Sequence, residues 1–153
     1  MSSALYNRDI LRLATSLPAP LRLDDAQGSA DRRSPTCGSR VIADVRMNAE
    51  SRVDQVALTV SACALGQASA ALMYAHVGGC SVEELQTATD SLRHYLAHPD
   101  ADSAADFWPG IDVFAAARDY PARHPSIMLA FEAVTEAVQR ALSDTTQQQA
   151  RAS

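Results

Sequence analysis

The chain has 153 residues, of which 47% are hydrophobic, and a formal net charge of −5. That length is one domain's worth and can bury a core, and that apolar content excludes a wholly disordered chain. The acidic balance argues against a nucleic-acid surface, and no apolar run approaches the roughly 20 residues of a membrane span.

In chain order, Leu5 to Leu17 is expected as a helix, with Leu5, Ile10, Leu13, Ala14 and Leu17 near helical spacing and Pro18 and Pro20 ending it. Residues 21–36 read as a short polar edge strand between loops. Arg40 to Met47 alternates: Val41, Ala43, Val45 and Met47 share one face, and Arg40, Asp44 and Arg46 mostly the other. Asn48-Ala49-Glu50-Ser51 suits a hairpin turn, and Arg52 to Val60 suits the return strand, with Val56, Leu58 and Val60 toward the core.

The rest reads as helical. Ala64 to Val77 is a helix of small residues stopped by Gly78-Gly79. Ser81-Val82-Glu83-Glu84 fits a capping box for a helix running to about Ala97. His98 to Asp106 is a polar loop, Ile111 to Asp119 a shorter helix, and Tyr120 to His124 a connector. Pro125 suits the first position of a last helix. Ile127, Phe131, Val134, Val138 and Leu142 form an apolar stripe along that helix. Residues 1–143 are read as one domain and 144–153, rich in Gln, Thr and Ser, as a disordered tail. Strands first and helices afterwards imply an α+β fold: a small antiparallel sheet of about three strands with helices packed on one face.

The chemistry sits at the cysteines. Three of them fit no closed disulfide framework, and the N-terminus lacks the basic and apolar regions of a signal peptide, so a reducing cytoplasm is expected. Cys37 precedes a strand. Cys63 sits where a strand hands over to a helix, whose N-terminal partial charge favours a thiolate. The simplest alternative for each is an inert small side chain. Cys80, between Gly79 and the capping Ser81, reads as structural.

His124 is either a metal ligand or proton donor near the thiolates, or a polar residue that helps start the last helix. His76 reads as a favourable charge at a helix C-terminus, and His94 and His98 as an exposed pair. Asp100, Asp102 and Asp106 read as a solvated loop. Phe107-Trp108-Pro109-Gly110 is expected to anchor its loop to the core. Arg40, Arg46 and Arg123 are candidates for a positive rim around the cysteines or, more simply, solvated surface residues.

Five segments carry a resemblance: Leu5-Tyr6, Cys37-Gly38-Ser39, Ala62-Cys63-Ala64-Leu65-Gly66-Gln67-Ala68-Ser69, Gly79-Cys80-Ser81-Val82-Glu83-Glu84, and Pro121-Ala122-Arg123-His124-Pro125-Ser126-Ile127-Met128-Leu129-Ala130-Phe131. With these the chain resembles the NifU/IscU/SufU-type iron–sulfur cluster assembly scaffolds from about Leu5 to Leu142. The long Cys63-to-Ser126 separation is similar to the SufU branch.

The resemblance implies a scaffold or sulfur acceptor rather than a turnover enzyme, taking part in cluster or sulfur transfer through Cys37 and Cys63. It implies a cysteine desulfurase as partner, with cluster-transfer proteins or a second copy of the chain as others. Two departures stand in the implied ligand set. Ser39 occupies the position of the family's Asp and Ser126 that of its third Cys. Cys37, Cys63 and His124 remain as candidate ligands. An iron–sulfur cluster or zinc is then expected to bind weakly, across a dimer, or not at all. Two other readings stay open: an adaptor that keeps the fold to bind a desulfurase or chaperone, and a metal-independent persulfide acceptor.

Overall fold

A computed structural model of the chain describes residues 5–19, 21–36, 38–100 and 106–152, with side chains described as far as Ser143. Leu5 is helical, and after a break at Tyr6–Asn7 the helix α1 (Arg8–Ser16) begins, capped by Asn7: Asn7 Oδ1 accepts from the Ile10 amide at 3.0 Å. Leu5 stays buried ahead of the cap. Three strands follow, β1 (Gly28–Arg33), β2 (Arg40–Met47) and β3 (Val53–Ser61), in one antiparallel sheet of order β1-β2-β3. Asn48 closes the β2–β3 turn, its Oδ1 accepting from the amides of Glu50 and Arg52, each at 3.0 Å. The register pairs Arg40 with Ser61 and Val45 with Val56. Val41, Ala43 and Val45 thereby join Val60, Leu58 and Val56 on one face.

That face carries the helices. α2 (Ala64–His76) lies against α1 and against the last helix, α4 (His124–Ala152), which crosses β1 and β2. α3 (Val82–Ala97) packs on α4 and is capped by Ser81, whose Oγ accepts from the Glu84 amide at 3.2 Å. The crossing of α4 over β1 is close. A Cβ on Gly28 would fall 2.1 Å from the Ala137 carbonyl oxygen, so only glycine fits there. Ile127, Phe131, Val134 and Val138 are fully buried along α4. Trp108 seats the loop before residue 110: its Nε1–H donates to the Leu72 carbonyl at 2.9 Å and its ring meets Phe131 edge-on at 5.2 Å. Among the described residues, no helix is long and apolar enough to cross a membrane.

Three features differ from the sequence pattern. Ile111–Asp119 is a 3₁₀ segment, not an α-helix, followed by a second over Pro121–Arg123. Its buried residues, Ile111, Phe114 and Ala117, recur every third position, the period of a 3₁₀ turn. The backbone of 144–152, expected as a disordered tail, continues α4, and that stretch contains no Gly or Pro to stop it. Asp44 does point to the other face of β2, but it is fully buried there. The segment after Pro20 runs over that face and covers it. Asp44 accepts from Arg22 Nε at 2.6 Å, Arg22 NH2 at 3.1 Å, Ser29 Oγ at 2.6 Å and the Leu23 amide at 3.1 Å.

Phe131→Ala should cost about 3–5 kcal/mol and Val134→Ala roughly 1–3 kcal/mol in urea unfolding, because each leaves a void in the core. Unchanged midpoints for both would contradict this packing. Asp44 gives a pH prediction. Burial pulls its carboxyl upward, but the hydrogen bonds from Arg22, Ser29 and the Leu23 amide outweigh that and leave it below its ordinary value. A depressed folded-state value adds stability that is fully present above the unfolded value, about 3.9, and is lost as pH falls through the folded one. Asp44→Asn should therefore flatten the acid limb of stability against pH, measured by denaturant unfolding from pH 7 downward. An acid limb identical to the parent's would contradict it.

Candidate functional site

The antiparallel pairing of β2 and β3 decides where the two cysteine motifs lie. β2 begins at Arg40 where β3 ends at Ser61, and these residues are register partners. The loop entering β2 and the loop leaving β3 therefore share one end of the sheet. The entering loop is a tight turn: the Gly38 amide donates to the Ser34 carbonyl at 3.1 Å and the Ser34 amide to the Ser39 carbonyl at 2.8 Å. Gly38 sits at φ 74°, a left-handed conformation that favours glycine. Cys37 lies outside the described residues, so its sulfur is not placed. Its neighbours Gly38 and Ser39 both line a cleft with Cys63.

Cys63 is the N-cap residue of α2. Its carbonyl already accepts from the Gln67 amide at 2.9 Å, while its side chain makes no capping bond. The half-buried thiol instead meets the start of α4, with Sγ 3.3 Å from Ser126 Oγ. Ser126 Oγ in turn lies 3.4 Å from Ser39 Oγ. Both serines are buried, at 3% and 4% exposure. The cleft they floor has a volume of about 300 Å³ and is completed by Gly38, Ser61, Ala62, Ala122 and Arg123.

Gly66, one turn into α2, makes room for this arrangement. A Cβ there would fall 2.7 Å from Ser126 Oγ and 2.7 Å from the Ala62 Cβ. The sequence pattern did not single out Gly66. Its signal was a glycine in an otherwise Ala-rich helix, one turn after a motif cysteine.

The other candidates are spread out. His124 does not line the cleft; its Nε2–H donates to the Ala117 carbonyl at 2.8 Å and ties α4 to the 3₁₀ segment. Of the three expected rim arginines, only Arg123 lines the cleft. Arg40 is bound to Asp31 across β1, and Arg46, at the far end of β2, is bound to Asp25. Cys80 lies at the far end of β3, where its carbonyl accepts from the Val53 amide, and burial pushes its thiol up. His94 and His98 stack with ring centroids 4.1 Å apart, and His98 Nδ1 meets the His94 carbonyl oxygen at 2.9 Å. His76 stands edge-on to Trp108.

The donor set decides what the cleft can hold. Among the described residues, no group of three or more His, Cys, Asp or Glu side chains is placed to bind a metal ion. Among the described residues the cleft lining contributes one thiol, Cys63, and three serines, of which Ser39 and Ser126 are linked to it through their hydroxyls. A seryl hydroxyl stays protonated at neutral pH and is a poor ligand for zinc or iron, which take thiolate, imidazole or carboxylate. The described residues alone do not make up a four-ligand centre. They do suit reversible chemistry at a single sulfur.

Residues 21–127 match the NifU-like N-terminal domain. The crystal structure of a nitrogen-fixing NifU-like protein (N-terminal) from Brucella abortus is similar at 32% identity and TM-score 0.83, over 92% of this chain and 96% of that one. A putative iron–sulfur cluster assembly scaffold protein for the SUF system from Fervidobacterium islandicum is similar in fold, with 17% identity and TM-score 0.80 over 90% and 99% of the two chains. A hypothetical protein is similar in fold at 22% identity and TM-score 0.76, over 88% and 97%. No curated protein matches the chain in sequence.

Gly66→Ala should destabilise the fold by about 1–3 kcal/mol, since the added methyl has no free space. It should also displace Ser126 from Cys63, seen as a changed alkylation rate at Cys63 in the folded protein. An unchanged melt and an unchanged rate would mean that α2 and α4 are less closely apposed than described.

Proposed function

The chain belongs to the NifU-like N-terminal domain family, the iron–sulfur cluster assembly scaffolds, and we propose that within it this protein handles sulfur rather than holding a cluster on one chain. The observation that carries this reading is the cleft itself. A half-buried thiol at a helix N-terminus faces two seryl hydroxyls, where the resembled scaffolds place an Asp and a third Cys. Iron and sulfide are cargo for such a protein, and its own contribution is the reactive sulfur of Cys63.

The step is a redox-neutral transfer. The Cys63 thiolate attacks the outer sulfur of a persulfide carried by a cysteine desulfurase. The S–S bond of the donor breaks, and the donor cysteine leaves as a thiolate. Cys63 then carries the sulfur for delivery to iron or to another thiol, and Cys37, whose chain neighbours Gly38 and Ser39 line the cleft, is the candidate to share the work. A reducing compartment suits this chemistry, because the attacking group is the Cys63 thiolate.

The test uses a cysteine desulfurase, sulfur-labelled cysteine and the full chain under anaerobic conditions, with the label read on a non-reducing gel. The parent and Cys80→Ser should take up label to the same extent, and Cys63→Ser should lose it. Undiminished labelling of Cys63→Ser would overturn the proposal. The ligand argument has its own check. Ser39→Asp combined with Ser126→Cys should raise zinc affinity by at least about tenfold in chelator competition, as two hydroxyls become true ligands. Unchanged affinity would mean that these positions do not converge on a metal.

A further inference from the structure

Ser126 does more than fill the place of an absent ligand. We propose that its hydroxyl is the group that lets sulfur leave Cys63, and that Ser39 positions it; this rests on the sulfur-transfer reading above. Ser126 Oγ is the polar side-chain atom recorded against Cys63 Sγ, at 3.3 Å. The hydroxyl is nearly sealed from water and is held over the thiol by the gap at Gly66. A thiolate has no proton to give, so Ser126 must be the donor whenever Cys63 is ionised.

The two halves of sulfur transfer use that bond differently. During loading, Cys63 Sγ is the nucleophile and loses negative charge as it attacks. A hydrogen bond to it stabilises the starting thiolate and gives no advantage to that step. During delivery, an acceptor thiolate attacks the outer sulfur of the Cys63 persulfide. The S–S bond breaks, its electron pair goes to Sγ, and the proton stays on the transferred sulfur. Sγ is now the leaving group and gains charge, and the Ser126 O–H donates to it as that charge develops. Ser39 Oγ, 3.4 Å further back, donates to Ser126 Oγ, whose own proton is committed to sulfur. That contact is longer, so its effect is smaller.

A hydroxyl has a second advantage over a thiol at this distance. A thiolate at position 126 would attack Cys63 Sγ, close a disulfide and expel hydrogen sulfide. Serine cannot, so position 126 does not discharge the sulfur from Cys63.

The experiment separates loading from release and needs no desulfurase. In a Cys37→Ala, Cys80→Ser background, Cys63 is the single thiol. It is loaded with inorganic polysulfide and followed by mass as it gains one sulfur atom. Release is then driven by cyanide, which takes the outer sulfur as thiocyanate and leaves the Cys63 thiolate. Ser126→Ala should slow thiocyanate formation about tenfold while changing loading by less than about twofold, the scale of a lost hydrogen bond to a charged group. Ser39→Ala should slow release roughly twofold to threefold. Ser126→Cys should discharge hydrogen sulfide without any acceptor.

Unaltered release in Ser126→Ala would overturn the assignment, and so would equal slowing of loading and release, the mark of a merely structural role. Failure of the parent to accept polysulfide sulfur would overturn this inference and the sulfur-transfer reading together. Normal loading with no transfer from a desulfurase would sink the partner alone.

Discussion

Two missing side chains fix where the last helix lies, and the site follows from that. Near its middle, α4 is pressed against β1 at Gly28, where a Cβ would strike the Ala137 carbonyl and the Ala141 amide. Near its start it meets α2 at Gly66, where a Cβ would strike Ser126. The fifteen residue steps from Ser126 to Ala141 span ~22 Å of helix. Held close at these two points and buried along Ile127, Phe131, Val134 and Val138, the first half of α4 has little freedom to slide or roll. Ser126 is thereby set over the N-terminus of α2, and Cys63 caps that N-terminus. The β2–β3 register supplies the third side by bringing Ser39 to the same end of the sheet.

This frame brings Ser39, Cys63 and Ser126 together at one end of the sheet. Positions from three separate elements converge within hydrogen-bond distance, but the groups at two of them are hydroxyls. A hydroxyl gives up its proton far less readily than a thiol or a carboxylic acid, so it donates to a charged sulfur where the other groups would coordinate a metal. The buried Asp44 shows the contrast within one molecule. Its four hydrogen bonds, two of them from one guanidinium, tie the segment after Pro20 to the outer face of the sheet. Polar groups there serve stability, whereas in the cleft they meet the Cys63 thiol.

Much of the frame could be read from the residues. Alternation in Arg40–Met47, the Ser81 cap and the α4 stripe each name an element through a local period or a local hydrogen bond, and the motif around Cys63 names its place at a strand-to-helix junction. What escaped was non-local. A charged residue in an alternating strand looks solvated until a segment some twenty residues away folds over it, as Arg22 and Leu23 do over Asp44. Arg40 and Arg46 looked available for a rim until Asp31 and Asp25 were found against them. The contact of Cys63 with Ser126 joins residues 63 apart in the chain, and nothing in a local window announces it. The threefold spacing of Ile111, Phe114 and Ala117 is, by contrast, a local signal of the 3₁₀ segment that the reading as a shorter helix does not use.

The central claim is that one chain offers a sulfur to work with and not a cluster site. The most direct measurement is anaerobic reconstitution of the wild-type protein with ferrous iron and sulfide, with absorbance, iron content and molecular size recorded on the same eluting peak. The account predicts no stable iron–sulfur chromophore on the monomer, since the described cleft supplies one thiol against the roughly four protein ligands a cluster takes. A chromophore on a dimer alone would mean that two chains pool their thiolates. A stable cluster at full occupancy on a strict monomer would contradict the account.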